Sequence, residues 1–186
     1  MCLHLKHPFG KGRLLTGFTL IEVLAAIFLI TVGVMAALIV INQTTVFTQV
    51  TSSRLVASYL AQEGIEIVKN IRDTNFLKIH KGVGGVNWDD NILCCGTPPC
   101  QCEADYDDSA LVSADRYLKL DGGFYNYDSV TDTVFKRKII IFDLIDLDDP
   151  PDGIPDQMKV QVLVSWQERG REHKVTAQEN LYLWLQ

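Results

Sequence analysis

A lone carboxylate in an apolar stretch, a knot of cysteines and a run of aspartates are the groups in this chain whose types and spacing could do chemistry. Glu22 is the single charged residue among the 24 residues 18–41, where Thr19 and Thr31 are the only hydroxylic ones. Inside a bilayer a carboxylate costs about 2.5–3.5 kcal/mol at the centre of a helix and less near its end, so it calls for a compensating interaction. Complementing a helix dipole from the first turn returns only about 0.3–1 kcal/mol. Cys94, Cys95, Cys100 and Cys102 fall within nine residues, and four cysteines allow three pairings. Joining the adjacent pair is strained, because consecutive Cα atoms lie ~3.8 Å apart and bridges prefer ~5.5–6 Å. A nested pairing, Cys95–Cys100 inside Cys94–Cys102, suits a turn through residues 96–99; the crossed pairing stays open. The spacing is too tight for a usual four-thiolate zinc site. Aspartates stand at 143, 146, 148, 149, 152 and 156 with no basic residue among them. Such hard oxygen donors suit calcium, with Asp146, Asp148, Asp152 and Asp156 as the candidate ligands. The plainer reading is an acidic turn between two strands, for which Pro150 and Pro151 are sufficient cause. His80 and His173 have no partners at catalytic or metal spacing, and no HExxH, GxSxG or phosphate-loop pattern occurs. Gly82–Gly85 reads as a loop, and Trp88, Trp166 and Trp184 read as core. Nothing here indicates an enzyme, and calcium is the only cofactor suggested.

The elements that must position these groups begin with the apolar run. As a helix it would reach roughly 36 Å, enough to cross a bilayer core of ~30 Å. Lys6, Lys11 and Arg13 precede it with no acid, and the first charge after it is Arg54. The positive-inside rule therefore places the N-terminus in the cytoplasm and the rest outside, where disulfides persist. The run is too long for a secretory signal and lacks a small-residue cleavage site. A net charge of −6 on 186 residues argues against a nucleic-acid partner.

The stretch Gly17-Phe18-Thr19-Leu20-Ile21-Glu22-Val23, behind a basic leader, resembles the processing motif of type IV prepilins and pseudopilins. The resemblance implies a prepilin peptidase that cuts between Gly17 and Phe18 and methylates the new Phe18 amine. It also implies that Glu22 is an assembly residue. Other pilin subunits, an inner-membrane assembly platform, and membrane lipid before assembly would be the partners. The segment around Ala61–Asp73 and the tail, a valine-rich strand ending in Ser165-Trp166 with a Gly-Arg turn and a last strand, resemble minor pilins of the V type. The run Asp152-Gly153-Ile154-Pro155-Asp156 is similar to thrombospondin type 3-like calcium repeats, although Pro150 stands where such loops supply another ligand.

Apolar residues recur at steps of three or four from Val46 to Ile71, which predicts one helix from Phe18 to about Asn75 with Gly64 as a weak point inside it. Strands are predicted at Arg116–Leu120, Phe124–Tyr127, Val134–Phe142, Val160–Trp166 and Val175–Leu185, with turns at 121–123 and 168–171. The expected fold is α+β: a long N-terminal helix, membrane-spanning in its first half and amphipathic in its second, packed on a small antiparallel sheet. The expected organisation is a leader at 1–17, the membrane or filament-core helix at 18–41 and an amphipathic helix at 42–78. A cysteine-clamped loop at 79–115 and the sheet at 116–186 complete it. The implied function is that of a minor subunit in a type IV pilus-like filament, held in the inner membrane with its N-terminus cytoplasmic and then part of an extracellular pilus or a periplasm-spanning filament. A pseudopilin of a type II secretion or DNA-uptake system shares the same motif, and a signal-anchored exported binding domain is the third reading.

Overall fold

The structure, a computed structural model, describes residues 17–95, 97–148 and 153–184. The chain divides into two compact units, Met1–Phe47 and Thr48–Gln186, and one helix, α1 (Leu20–His80), contributes to both. Among the described residues seven strands follow: β1 (Cys100–Cys102), β2 (Lys119–Asp121), β3 (Phe124–Asn126), β4 (Thr131–Asp132), β5 (Phe135–Ile145), β6 (Gln157–Glu168) and β7 (Arg171–Tyr182). The architecture is the expected α+β layout of one long N-terminal helix and a small antiparallel sheet.

In the first unit α1 starts because Thr19 caps it. The Thr19 hydroxyl accepts the Glu22 N–H at 3.3 Å, and the Thr19 carbonyl accepts the N–H groups of Glu22 and Val23. Glu22 thus occupies the third position of a Thr-x-x-Glu helix start, where an acid favours the positive end of the dipole. The large apolar side chains from Leu20 to Phe47 are almost all exposed. The most apolar window has a mean hydropathy of 2.9, and the helix is long and apolar enough to cross a membrane.

In the second unit α1 turns one face inward. Ala57, Leu60, Ala61, Gly64, Ile65, Ile67, Val68, Ile71, Asn75 and Phe76 are buried, the spacing of a core-facing stripe. The helix runs to His80, five residues beyond the predicted end, because no breaker intervenes before Gly82 at φ +74°. There the Gly82 and Val83 N–H groups return to the Ile79 and Lys78 carbonyls at 2.9 and 3.0 Å, closing the helix end as left-handed glycines do.

Strands run in the order β1-β5-β6-β7, all pairs antiparallel, with β3-β2-β4 as a separate small sheet. Alternation decides which side chains face α1. Phe135, Ile139 and Ile141 of β5 and Met158, Val160, Val162, Val164 and Trp166 of β6 point into the core shared with the helix. Register pairs Ile139 with Val162 and Phe135 with Trp166, and slips once between Ile141 and Asp143. Arg169 and Gly170, at φ 53° and 77°, form the two-residue turn into β7, the primed geometry that matches strand twist. Of the predicted strands, β5, β6 and β7 are longer than expected and β2 and β3 are shorter; β1 and β4 are not among the predicted strands, and the segment read as a loop pairs Cys100–Cys102 with Ile139–Ile141.

Gly64 is not merely a weak point. A Cβ built there would lie 2.7 and 3.0 Å from the two Val162 methyls and 3.4 Å from Arg137 Cδ, so the missing side chain is what lets helix and sheet meet. Gly64→Ala gains about 1 kcal/mol of helix propensity but overpacks the contact by about 1–3 kcal/mol. We expect a lower melting temperature for the full chain in detergent, measured by circular dichroism, and an unchanged or higher value would contradict the close-packing role.

Candidate functional site

Three groups of residues marked by the sequence can be placed. The Gly17–Phe18 bond lies just ahead of the helix, in exposed non-helical backbone, and Glu22 is exposed one turn into α1. A bond outside the helix is open to a peptidase without local unwinding, while the carboxylate is presented along the apolar rod. Residues 1–16 of the leader lie outside the described residues.

The four cysteines form the nested pair of bridges. Cys94 joins Cys102 and Cys95 joins Cys100, with Cα–Cα distances of 5.9 and 5.7 Å. Strand pairing explains how the inner positions are held: Cys100 and Cys102 are buried on the core side of β1 while Gln101 faces out. The Pro98–Pro99 bond is cis. The crossed pairing is thereby set aside, and the clamp is anchored to the sheet through β1.

Asp146, Asp148 and Asp156 converge, each offering a carboxylate oxygen within 4.8 Å of the others. Asp152, the fourth predicted ligand, lies outside the described residues. The turn is closed by its own donors: Asp146 accepts the N–H groups of Asp148 and Gly153 at 3.1 and 2.9 Å, and Asp156 accepts that of Leu147 at 2.6 Å. Calcium requires six to eight oxygens, and here three of the carboxylate oxygens already take backbone hydrogen bonds. The geometry is therefore first that of a hydrogen-bonded acidic connector. Its carboxylates remain the set a calcium ion would use.

A fourth group was missed in the sequence. Arg137, fully buried on the inner face of β5, donates to Glu63 of α1 at 3.0 Å and to the Ala104 carbonyl at 2.7 Å. The signal was its place in the strand: Arg137 shares the inward parity of Phe135, Ile139 and Ile141. Beside it the buried Tyr127 hydroxyl donates to the Arg137 carbonyl at 3.2 Å, and Arg116 pairs with the buried Glu103 at 3.0 Å. Burial pushes the Tyr127 phenol up to about 12, opposed by the nearby Arg137 charge. Burial likewise raises the Asp105 carboxyl, against the Tyr127 N–H that it accepts. These groups hold the loop, sheet and helix together. No protein-family model, curated protein or solved structure matches the chain.

Two outcomes follow from this geometry. Reduction of the purified chain should add four hydrogens through the four bridged cysteines, read by intact mass before and after reductant; free thiols or bound zinc would contradict it. Tyr127 has a raised folded value, so its contribution to stability is complete below the ordinary phenol range near 10. That contribution is lost as pH rises toward about 12. Absorbance titration at 295 nm should therefore show a last tyrosine ionising with unfolding, and Tyr127→Phe should remove that step.

Proposed function

We propose that the chain is a structural, non-enzymatic subunit of a type IV pilus-like filament, a minor pilin cut between Gly17 and Phe18. The observation that carries this reading is the capped, apolar helix start: Thr19 and Glu22 open a helix whose large apolar side chains stay exposed as far as Phe47. So extended an apolar surface needs lipid or like helices around it. In the membrane, lipid covers it; in a filament, the same surface packs against other subunits. The N-terminus lies in the cytoplasm until an inner-membrane assembly machine extracts the subunit. The disulfide-clamped second unit is then displayed outside.

Glu22 gives this reading its chemistry. Cleavage leaves a cationic amine on Phe18, one turn from the carboxylate. In a staggered bundle the carboxylate of one subunit meets the amine of its neighbour, and each offsets the other's desolvation. The acidic turn, with calcium as its ligand, would stiffen the connector between β5 and β6; a rise in melting temperature at millimolar calcium, lost in Asp146→Ala, would show this.

The test is the mature N-terminus in the producing cell. Mass spectrometry should find a chain that begins with N-methylated Phe18. Glu22→Ala should still insert and be cleaved, yet enter sheared filaments at a tenth of the normal amount or less. A chain that still begins at Met1 would overturn the reading, and normal incorporation of Glu22→Ala would remove the role given to the carboxylate.

A further inference from the structure

Two contacts fix the direction of the β6–β7 hairpin along α1. Val162 of β6 packs on Gly64, and the Arg169 guanidinium donates to the Gln49 side chain at 3.1 Å. From Gly64 back to Gln49 the helix covers fifteen residues, and from Val162 to Arg169 the strand covers seven, each roughly 23 Å. The hairpin therefore runs antiparallel to the helix, and its turn, Arg169-Gly170, lies level with Gln49. Gln49 follows Ile41, the end of the apolar run, by eight residues of α1. Eight residues of helix are roughly 12 Å, and a headgroup layer occupies roughly 5–8 Å beyond the hydrocarbon. An extended arginine at this turn thus reaches the headgroups of a bilayer that the apolar run crosses.

Charge sorts along the same axis. Arg72, Arg116 and Arg137 are held by carboxylates. Arg54, Arg169 and Arg171 have no ion pair among the described residues, and all three are exposed at or near this end. Glu168 and Glu172 stand beside them, but Glu172 faces Lys174 at 3.2 Å and Glu168 accepts the Trp166 indole N–H at 3.4 Å. Taking these six charges together, the cations exceed the acids by two. At the opposite end of β6, Trp88 stacks on Phe76 of α1 and donates to the Pro155 carbonyl at 2.6 Å. There the aspartates at 89, 90, 143, 146, 148 and 156 outnumber Lys78, Lys81 and Lys159.

We propose that the β6–β7 turn is a docking surface for anionic phospholipid headgroups, with Arg169, Arg171 and Arg54 on lipid phosphates. The guanidinium fork matches phosphate oxygens, which makes arginine the fitting cation here. Each basic side chain near an anionic surface strengthens binding about fivefold. The same surface repels the acidic far end, so the charge distribution stands the second unit on its basic tip. The proposal rests on the membrane reading of the apolar helix, not on cleavage after Gly17 or entry into a filament.

The full-length chain with Cys2→Ser tests it in nanodiscs of phosphatidylcholine with or without phosphatidylglycerol, each holding the same share of headgroup-nitroxide lipid. A fluorophore on Gln167→Cys, beside the turn, should be quenched at least threefold more in the discs that contain phosphatidylglycerol, and high salt should remove the difference. A fluorophore on Lys78→Cys, roughly 44 Å of helix beyond Gln49, should stay unquenched in both. Arg54→Gln with Arg169→Gln and Arg171→Gln should return the quenching at 167 to the phosphatidylcholine level. The corresponding Arg→Lys variant should restore it, which separates lost charge from misfolding. Equal quenching in the two discs, quenching at position 78, indifference to the glutamine variant or no rescue by lysine would overturn the proposal. A chain that enters neither disc overturns the membrane reading with it. The mature N-terminus is read separately in the producing cell. A chain that begins at Phe18 without lipid-dependent quenching loses the docking alone; quenching in a chain that begins at Met1 keeps the docking and removes the filament reading.

Discussion

The ion pair between Arg137 and Glu63 is the constraint on which the second unit depends. A guanidinium with no exposure to water needs its charge met, and two of its three nitrogens are held from different parts of the chain, while Nε has no hydrogen-bond partner among the described residues. Glu63 comes from α1, the Ala104 carbonyl from the segment after the cysteine clamp, and the Tyr127 ring lies 5.8 Å away. Removing one partner of such a pair leaves an unpaired charge in the core, which costs about 3–5 kcal/mol, less where a partner is partly exposed as Glu63 is. The neighbouring Gly64 keeps the helix close enough for the bond to form. Position and charge are therefore settled at one spot: the gap in side chains and the ionic contact occupy consecutive residues of α1.

Much of this could be read from the residues in order. The apolar run, the inward stripe of α1 and the alternation in β5 and β6 all follow periods that one strand or helix imposes on itself. What escaped depends on contacts between segments distant in sequence. The Cys100–Cys102 strand exists because β5 supplies a ladder for it, and nothing in Cys-Gln-Cys marks it as extended. Gly64 looked like a defect because helix propensity is a local quantity and its partner, Val162, is nearly a hundred residues away. Arg137 sits in the run Lys136-Arg137-Lys138, where three cations in succession suggest solvent; only the strand's parity assigns the middle one to the core.

The candidate sites divide in the same way. Gly17, Phe18 and the capping Thr19 are contiguous and lie at the helix start, so sequence order is nearly spatial order there. The cysteine pairing needed β1 to select one arrangement. For the acidic connector, the sequence shows the carboxylates but not that Asp146 and Asp156 spend oxygens on backbone N–H groups to close the turn.

Antiparallel sheets have two edges, and unpaired backbone at an edge invites further strands to add. One edge of the main sheet is β1, three residues long and tied by two bridges to the segment before it, which leaves little open ladder. The other is β7, twelve residues long, and there the defence is chemical: Arg171, Glu172 and Lys174 open the strand, and Glu179 pairs with Lys69 of α1 at 2.8 Å. The second unit thus has one margin sealed covalently and the other guarded by charge. Reducing conditions would therefore threaten its solubility before its fold, by freeing a strand edge.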